Sequence, residues 1–312
     1  MGKRRDYIDQ HIVPQFLIKR FMDYDGYYEV LKPKDLQKNH TEWYKGNDYV
    51  IKKDNRLSRF MSGPKIYDLS EQFIHDSILN QSVTPNLQSL EIKFGDIEAK
   101  TNLILEKWFT SASNVINFSE CSLEDINQIV RFIMLLNIKN PNLKENYGEQ
   151  WKKIIIGLIK EKKFISGKEL SNYNFYDIVF LIGLDTFTEL TKLAFGLENL
   201  YILKNNTREP FVLSETGCVP FKRGEPIAET LKRGKGKFDT IYLPIDPFRA
   251  FLLTKHKLKG KSSTIYINET NRIDFYNHLS FITSKNATIS RWIGKGMVSM
   301  LKEGLNINVE RI

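Results

Sequence analysis

The side chains able to do chemistry in this sequence are spread from its first helical stretch to its last. The first group sits in QHIVPQFLIKRF, residues 10–21, where His11 stands three positions ahead of Pro14. An imidazole can act as general base, metal ligand or hydrogen-bond donor near neutral pH. Pro14 fits the first turn of a helix, where the N–H it lacks would have no partner anyway. Val13, Phe16, Leu17 and Phe21 form the apolar face of that helix. His11 is left just upstream, either facing a pocket or fixing the chain by bonding a backbone carbonyl.

Glu91 and Glu98 are seven positions apart, which sets both on one side of a long helix. Carboxylates beside an apolar stripe can share a metal ion, meet a Lys or Arg, or form an ordinary solvated flank. Ser214-Glu215 closes a strand-like run, PFVLSE. A serine nucleophile needs a strong base and an oxyanion hole, and neither is local, so Glu215 as metal ligand or general base is the better reading. Asp246, between Pro244 and Pro247, is either a further acid of the site or a turn former. Asn277 and His278, on a C-terminal helix, can hydrogen-bond a substrate or cap a strand. The segment KRGEPIAETLKRGKGK (222–237) holds Lys222, Arg223, Lys232, Arg233, Lys235 and Lys237. These suit phosphate contacts, which give affinity without sequence specificity. A solvated loop is the plainer alternative.

Composition supports a polyanionic partner without specifying one. The 46 Lys and Arg outnumber the 37 Asp and Glu, for a formal net charge of +9. The 14 Tyr and 20 Phe supply rings for packing or base stacking. No P-loop, dinucleotide fingerprint, zinc-ligand spacing or Gly-x-Ser-x-Gly elbow occurs, which removes the commonest motif-borne activities. Two cysteines, Cys121 and Cys218, make no disulfide framework and fit a reducing, cytoplasmic compartment. The apolar runs at 129–138 and 154–159 are at most half the roughly 20 residues that a membrane-spanning helix needs.

The elements that must position these residues fall into three parts. Residues 22–67 read as strands and turns, with Asp25-Gly26 ahead of one aromatic, β-branched run and EWYKGNDYVIKK (42–53) as another. From 68 to 204 the period is helical. Leu87, Leu90, Phe94, Ile97, Thr101, Ile104 and Trp108 recur at spacings of three and four. Ser122 and Asp125 form a helix start signal, and that helix stops before Pro141. Further helices fit 145–163, 169–183 and 184–203. After 205, short strands fit 210–215, 240–247, 250–255 and 263–269, followed by a helix from 270 and a short strand or helix. The expectation is a single α+β domain over 1–312. Strands from its N- and C-terminal parts flank a central helical block, and joining both strand sets in one sheet would bring His11 near 210–255.

In this frame His11, Pro14, Gln15, Phe16, Leu17 and Phe21 resemble the opening of a bacterial and fungal family described as domain of unknown function 4238. Its members begin His-Tyr-x-Pro-x-x-x-Leu-x-x-Phe. Phe211, Ser214 and Glu215 are similar to its Phe-x-Thr-Ser-Asp strand end. Pro244, Asp246 and Pro247 resemble its Pro-Leu-Ser-Pro, and Asn277, Ala287 and Ser290 its C-terminal pattern. Glu91 and Glu98 look like its acidic helix positions. This sequence departs in having Glu215 for Asp, in losing the Asn-Pro that follows, and in placing Ser280 where a second Asn is expected. The resemblance implies a fold and a shortlist, with His11, Ser214, Glu215 and Asp246 as catalytic residues and Gln15 and Asn277 as binding residues. It implies no settled activity.

Together these features predict a nucleic-acid-acting hydrolase, an RNase or DNase of the kind used in bacterial defence or toxin systems. Glu215, with Asp246 or with Glu91 and Glu98, would hold Mg²⁺ or Mn²⁺. Nucleic acid is the expected partner, no membrane is, and a homo-oligomer or a regulatory protein is compatible. The alternative is a non-catalytic sensor module that binds a ligand or nucleic acid.

Overall fold

The structure is a computed structural model describing residues 13–31, 42–45, 87–109, 121–140, 184–224, 238–258, 263–284 and 288–293, with isolated positions at 118, 153–154, 156–158 and 297–299. Among these residues the architecture is α+β. Helices are α1 (Gln15–Lys19), α2 (Leu87–Phe109), α3 (Leu123–Lys139), α4 (Leu184–Phe195) and α5 (Thr270–Thr283). Strands are β1 (Tyr27–Leu31), β2 (Glu42–Lys45), β3 (Asn199–Asn205), β4 (Leu213–Ser214), β5 (Val219–Phe221), β6 (Thr240–Asp246), β7 (Arg249–Thr254), β8 (Thr264–Ile267) and β9 (Thr288–Ser290).

The strands form two sheets rather than one. The first has the order β2-β1-β9-β4, so the N-terminal hairpin joins the C-terminal strands through β1 and β9. The second has the order β5-β6-β7-β3-β8, antiparallel except for the parallel pair β3–β8. Its two faces follow the pleat, in which alternate residues point to opposite sides. Ile241, Leu243, Ile245, Phe251, Leu253 and Ile202 pack with α1–α4 in the larger core. Tyr242, Ala250, Leu252, Tyr201 and Leu203 pack with Ile273, Phe275, Tyr276 and Leu279 of α5. Strand β6 is buried along its whole length, which is why TIYLPID reads as nearly continuous apolar sequence.

The long helices form as their periodicity predicts. Ser122 caps α3 by accepting the N–H of Asp125 at 3.0 Å, with Glu124 and Asp125 in the positive first turn. One expected helix is corrected. The run 184–203 is helical only to Phe195, because Gly196 takes φ +67° and ends it. Beyond it, the aromatic and β-branched Asn199–Asn205 becomes strand β3, which lies between β7 and β8. The proposed 210–215 strand shortens to Leu213–Ser214. The expected helices at 145–163 and 169–183 fall mostly outside the described residues, as does the stretch 46–53. No helix of the described residues is long and apolar enough to cross a membrane.

Candidate functional site

The segment 210–218 gathers much of the shortlist, and it does so in the interior. Asn277 of α5 is fully buried; its Oδ1 accepts the Val212 N–H at 2.9 Å and its Nδ2 donates to the Pro210 carbonyl at 2.8 Å. Ser290 donates to the Phe211 carbonyl at 3.3 Å. The Ser214 hydroxyl lies 2.8 Å from that of Thr216, 2.9 Å from that of Ser284 and 3.4 Å from that of Thr283. It also accepts the Thr216 N–H at 3.2 Å, closing a turn that Gly217 completes at φ +74°. A Cβ at Gly217 would sit 3.4 Å from both Leu136 and Val13, so this turn packs directly on α3 and on the residue that leads into α1. Glu215, on the same turn, is buried.

Among the described residues Ser214 is thereby bonded into a cluster of hydroxyls, and Asn277 is a backbone clip. Cys218 is buried and its thiol is pushed up well beyond its ordinary range by desolvation, which makes it inert.

Asp246 begins the β6–β7 turn. Its Oδ1 accepts the Phe248 N–H at 2.8 Å, the turn-forming role its position between prolines suggested, and its Oδ2 pairs with Arg249 Nε at 2.6 Å. Burial raises its pKa, and the Arg249 charge, the Phe248 N–H and the Arg20 charge oppose that only in part. Arg249 in turn stacks on Phe109, 4.2 Å from guanidinium to ring centroid.

Glu98 meets a cation: Lys139, itself buried, lies 2.8 Å from its Oε1 and over the Phe94 ring. Glu91 is on α2, but its side chain lies outside the described residues, as do His11, Lys232, Arg233, Lys235, Lys237 and Ala287. Gln15 is exposed at the start of α1. Among the described residues no three His, Cys, Asp or Glu side chains gather as a metal's ligand set.

Lys222 and Arg223 lead instead to a pair that the sequence reading missed. They follow β5, whose Phe221 pairs with Thr240 of β6, which pairs with Thr254 of β7. That row ends one edge of the sheet, and His256 stands just beyond it. His256 Nε2 donates to Asp239 Oδ2 at 2.8 Å, with side-chain exposures of 38% and 16%. The other Asp239 oxygen accepts the Arg223 N–H at 3.0 Å and the Thr240 hydroxyl at 2.9 Å. Thr254 accepts the His256 N–H at 3.1 Å and donates to the Asp239 carbonyl at 3.2 Å. The carboxylate and the strand ends thus fix the ring, leaving Nδ1 as its second nitrogen; Lys255 and Lys257 flank it in sequence, and Lys222 and Arg223 follow β5, with the Arg223 N–H on Asp239. A signal existed: 240–247 and 250–255 form a tight hairpin, which sets Asp239 opposite Lys255 and so within reach of the next side chain, His256.

The two ends of β6 are separate places. Six residue steps from Thr240 to Asp246 span roughly 20 Å, so Asp246 does not share a site with Lys222, Arg223 and His256. No family model, curated protein or solved structure matches this chain, so its likeness to domain of unknown function 4238 rests on the motifs themselves.

Proposed function

We propose that this chain is a nucleic-acid-acting phosphodiester hydrolase whose proton-transfer residue is His256. The observation that carries the reading is a half-exposed imidazole oriented by a less exposed carboxylate, at a sheet edge where two lysine- and arginine-bearing connections meet. An imidazole held through one nitrogen presents the other as a base of fixed direction. With Nε2–H on Asp239, Nδ1 accepts a proton from water as the water oxygen attacks phosphorus. The P–O bond to the leaving nucleoside breaks, and the leaving oxygen takes up a proton. Lys222, Arg223, Lys255 and Lys257 hold the phosphate oxygens and offset the charge that builds on them.

The test incubates the purified chain with labelled RNA and DNA, with Mg²⁺, with Mn²⁺ and with EDTA. Cleavage by the wild type that falls on the order of 10²–10⁴-fold in His256→Ala, with nucleic-acid affinity nearly unchanged, is the expected result. Binding without cleavage in every condition, or cleavage by His256→Ala at the wild-type rate, would overturn it, and binding alone would favour the sensor reading.

A further inference from the structure

The other end of β6 carries a surface of different chemistry, assembled from three distant segments. Tyr24, in the turn after α1, is 98% exposed, and the Arg291 guanidinium lies 4.9 Å from its ring centroid. The next residue, Trp292, has its ring 6.1 Å from that of Phe248, and both are only half-buried. Phe248 is followed by Arg249, whose charge is felt by Arg20 together with that of Asp246. Two contacts, Tyr24–Arg291 and Phe248–Trp292, are thus joined through the adjacent residues 291 and 292, with Arg249 next to Phe248 in the chain. Among the described residues, Arg20 Nε and Arg291 Nε have no hydrogen-bond partner.

We propose that this surface binds single-stranded nucleic acid, its rings stacking on bases and its arginines meeting the phosphates. Stacking requires exposed base faces, which a single strand offers and a duplex hides. Arginine fits the second role because its planar fork hydrogen-bonds phosphate oxygens while its face can still lie on a ring. Two acids flank Tyr24. Asp23 is turned inward, accepting the N–H groups of Asp25 and Tyr27 at 3.0 and 2.7 Å, whereas Asp25 is exposed at the rim. Phe248 stands at the opposite end of the β6–β7 hairpin from His256, so occupancy of this surface does not depend on cleavage.

The experiment is fluorescence anisotropy of the full chain with a short labelled oligouridylate or oligothymidylate, against a duplex of equal length and against inorganic polyphosphate. The single strands should bind more tightly than either competitor. Tyr24→Ala should weaken them roughly tenfold while Tyr24→Phe binds as wild type. Arg291→Gln should lower the salt slope of binding by about one. His256→Ala should bind single strands normally, which separates failure of this inference from failure of the hydrolase reading. Tyr24→Ala melting as the wild type does confirms that the fold is intact. Equal affinity for the duplex or for polyphosphate, or wild-type binding by both Tyr24→Ala and Arg291→Gln, would overturn the proposal.

Discussion

Each end of β6 carries an aspartate at a strand boundary, and depth separates their chemistry. Asp239, just before the strand, is partly exposed and divides its oxygens among an imidazole, a hydroxyl and a backbone amide. Asp246, at its last position, is 7% exposed and gives one oxygen to a turn amide and the other to Arg249. Water can reach the first group's partner, His256, whose side chain is 38% exposed. The second is desolvated strongly enough to raise its pKa despite the guanidinium beside it. A carboxylate near the surface can orient another group, while one in the interior needs a partner to be tolerated at all.

Substitutions that treat the two aspartates alike should separate them. Asp239→Asn removes the charge and one of the two acceptor oxygens that hold His256 and the Arg223 N–H, and nucleic-acid cleavage should fall on the order of 10²–10⁴-fold, as measured in single-turnover assays. Asp246→Asn should leave that rate unchanged; an equal loss from both would erase the distinction between the ends.

Stability tests act in the opposite direction. Arg249→Met leaves Asp246 buried without its cation and should cost about 3 kcal/mol in urea denaturation near neutral pH. Because Asp246 binds its proton more tightly folded than unfolded, its contribution to stability is greatest at or below about pH 4 and declines as pH rises above that. The Arg249→Met deficit should therefore shrink in acid. Asn277→Ala, at neither end, frees the Val212 N–H and the Pro210 carbonyl in the interior and should cost about 2 kcal/mol by the same measurement.

The smallest effect belongs to His278, whose pKa burial lowers. The unfolded chain takes up its proton first as pH drops below about 6.5, so stability falls with acid, opposite in sign to Asp246. His278→Gln should reduce the drop in Tm between neutral and mildly acidic pH. An unchanged drop would place the acid sensitivity elsewhere.

Much of this scaffold was legible in the sequence because short-range patterns carry it. Thr240–Asp246 and Arg249–Thr254 show their strands through apolar, β-branched runs around a proline turn, and α3 shows its start through Ser122 and Asp125. Asn199–Asn205 misled because its leucines also continue the helical spacing of α4, and Gly196 outweighs that periodicity. The site was less legible for a different reason. Ser214 and Asn277 looked reactive by type, yet their bonds are spent inside the protein, which only the packing of α5 reveals. His256 looked unremarkable in TKHKLKGK until the register Thr240↔Thr254 set Asp239 beside it. The surface around Tyr24 and Trp292 has no sequence signature at all, since its parts come from both ends of the chain.

That joining of distant segments also governs when the protein can fold during synthesis. In the first sheet β9 lies between β1 and β4, and Thr288 bonds the Leu31 carbonyl across 257 positions of sequence. A ribosome adding roughly 5–20 residues per second makes β1 on the order of 10–50 s before its partner exists. During that interval β1 has β2 on one side and an open edge on the other, exposed to any chain that can pair with it.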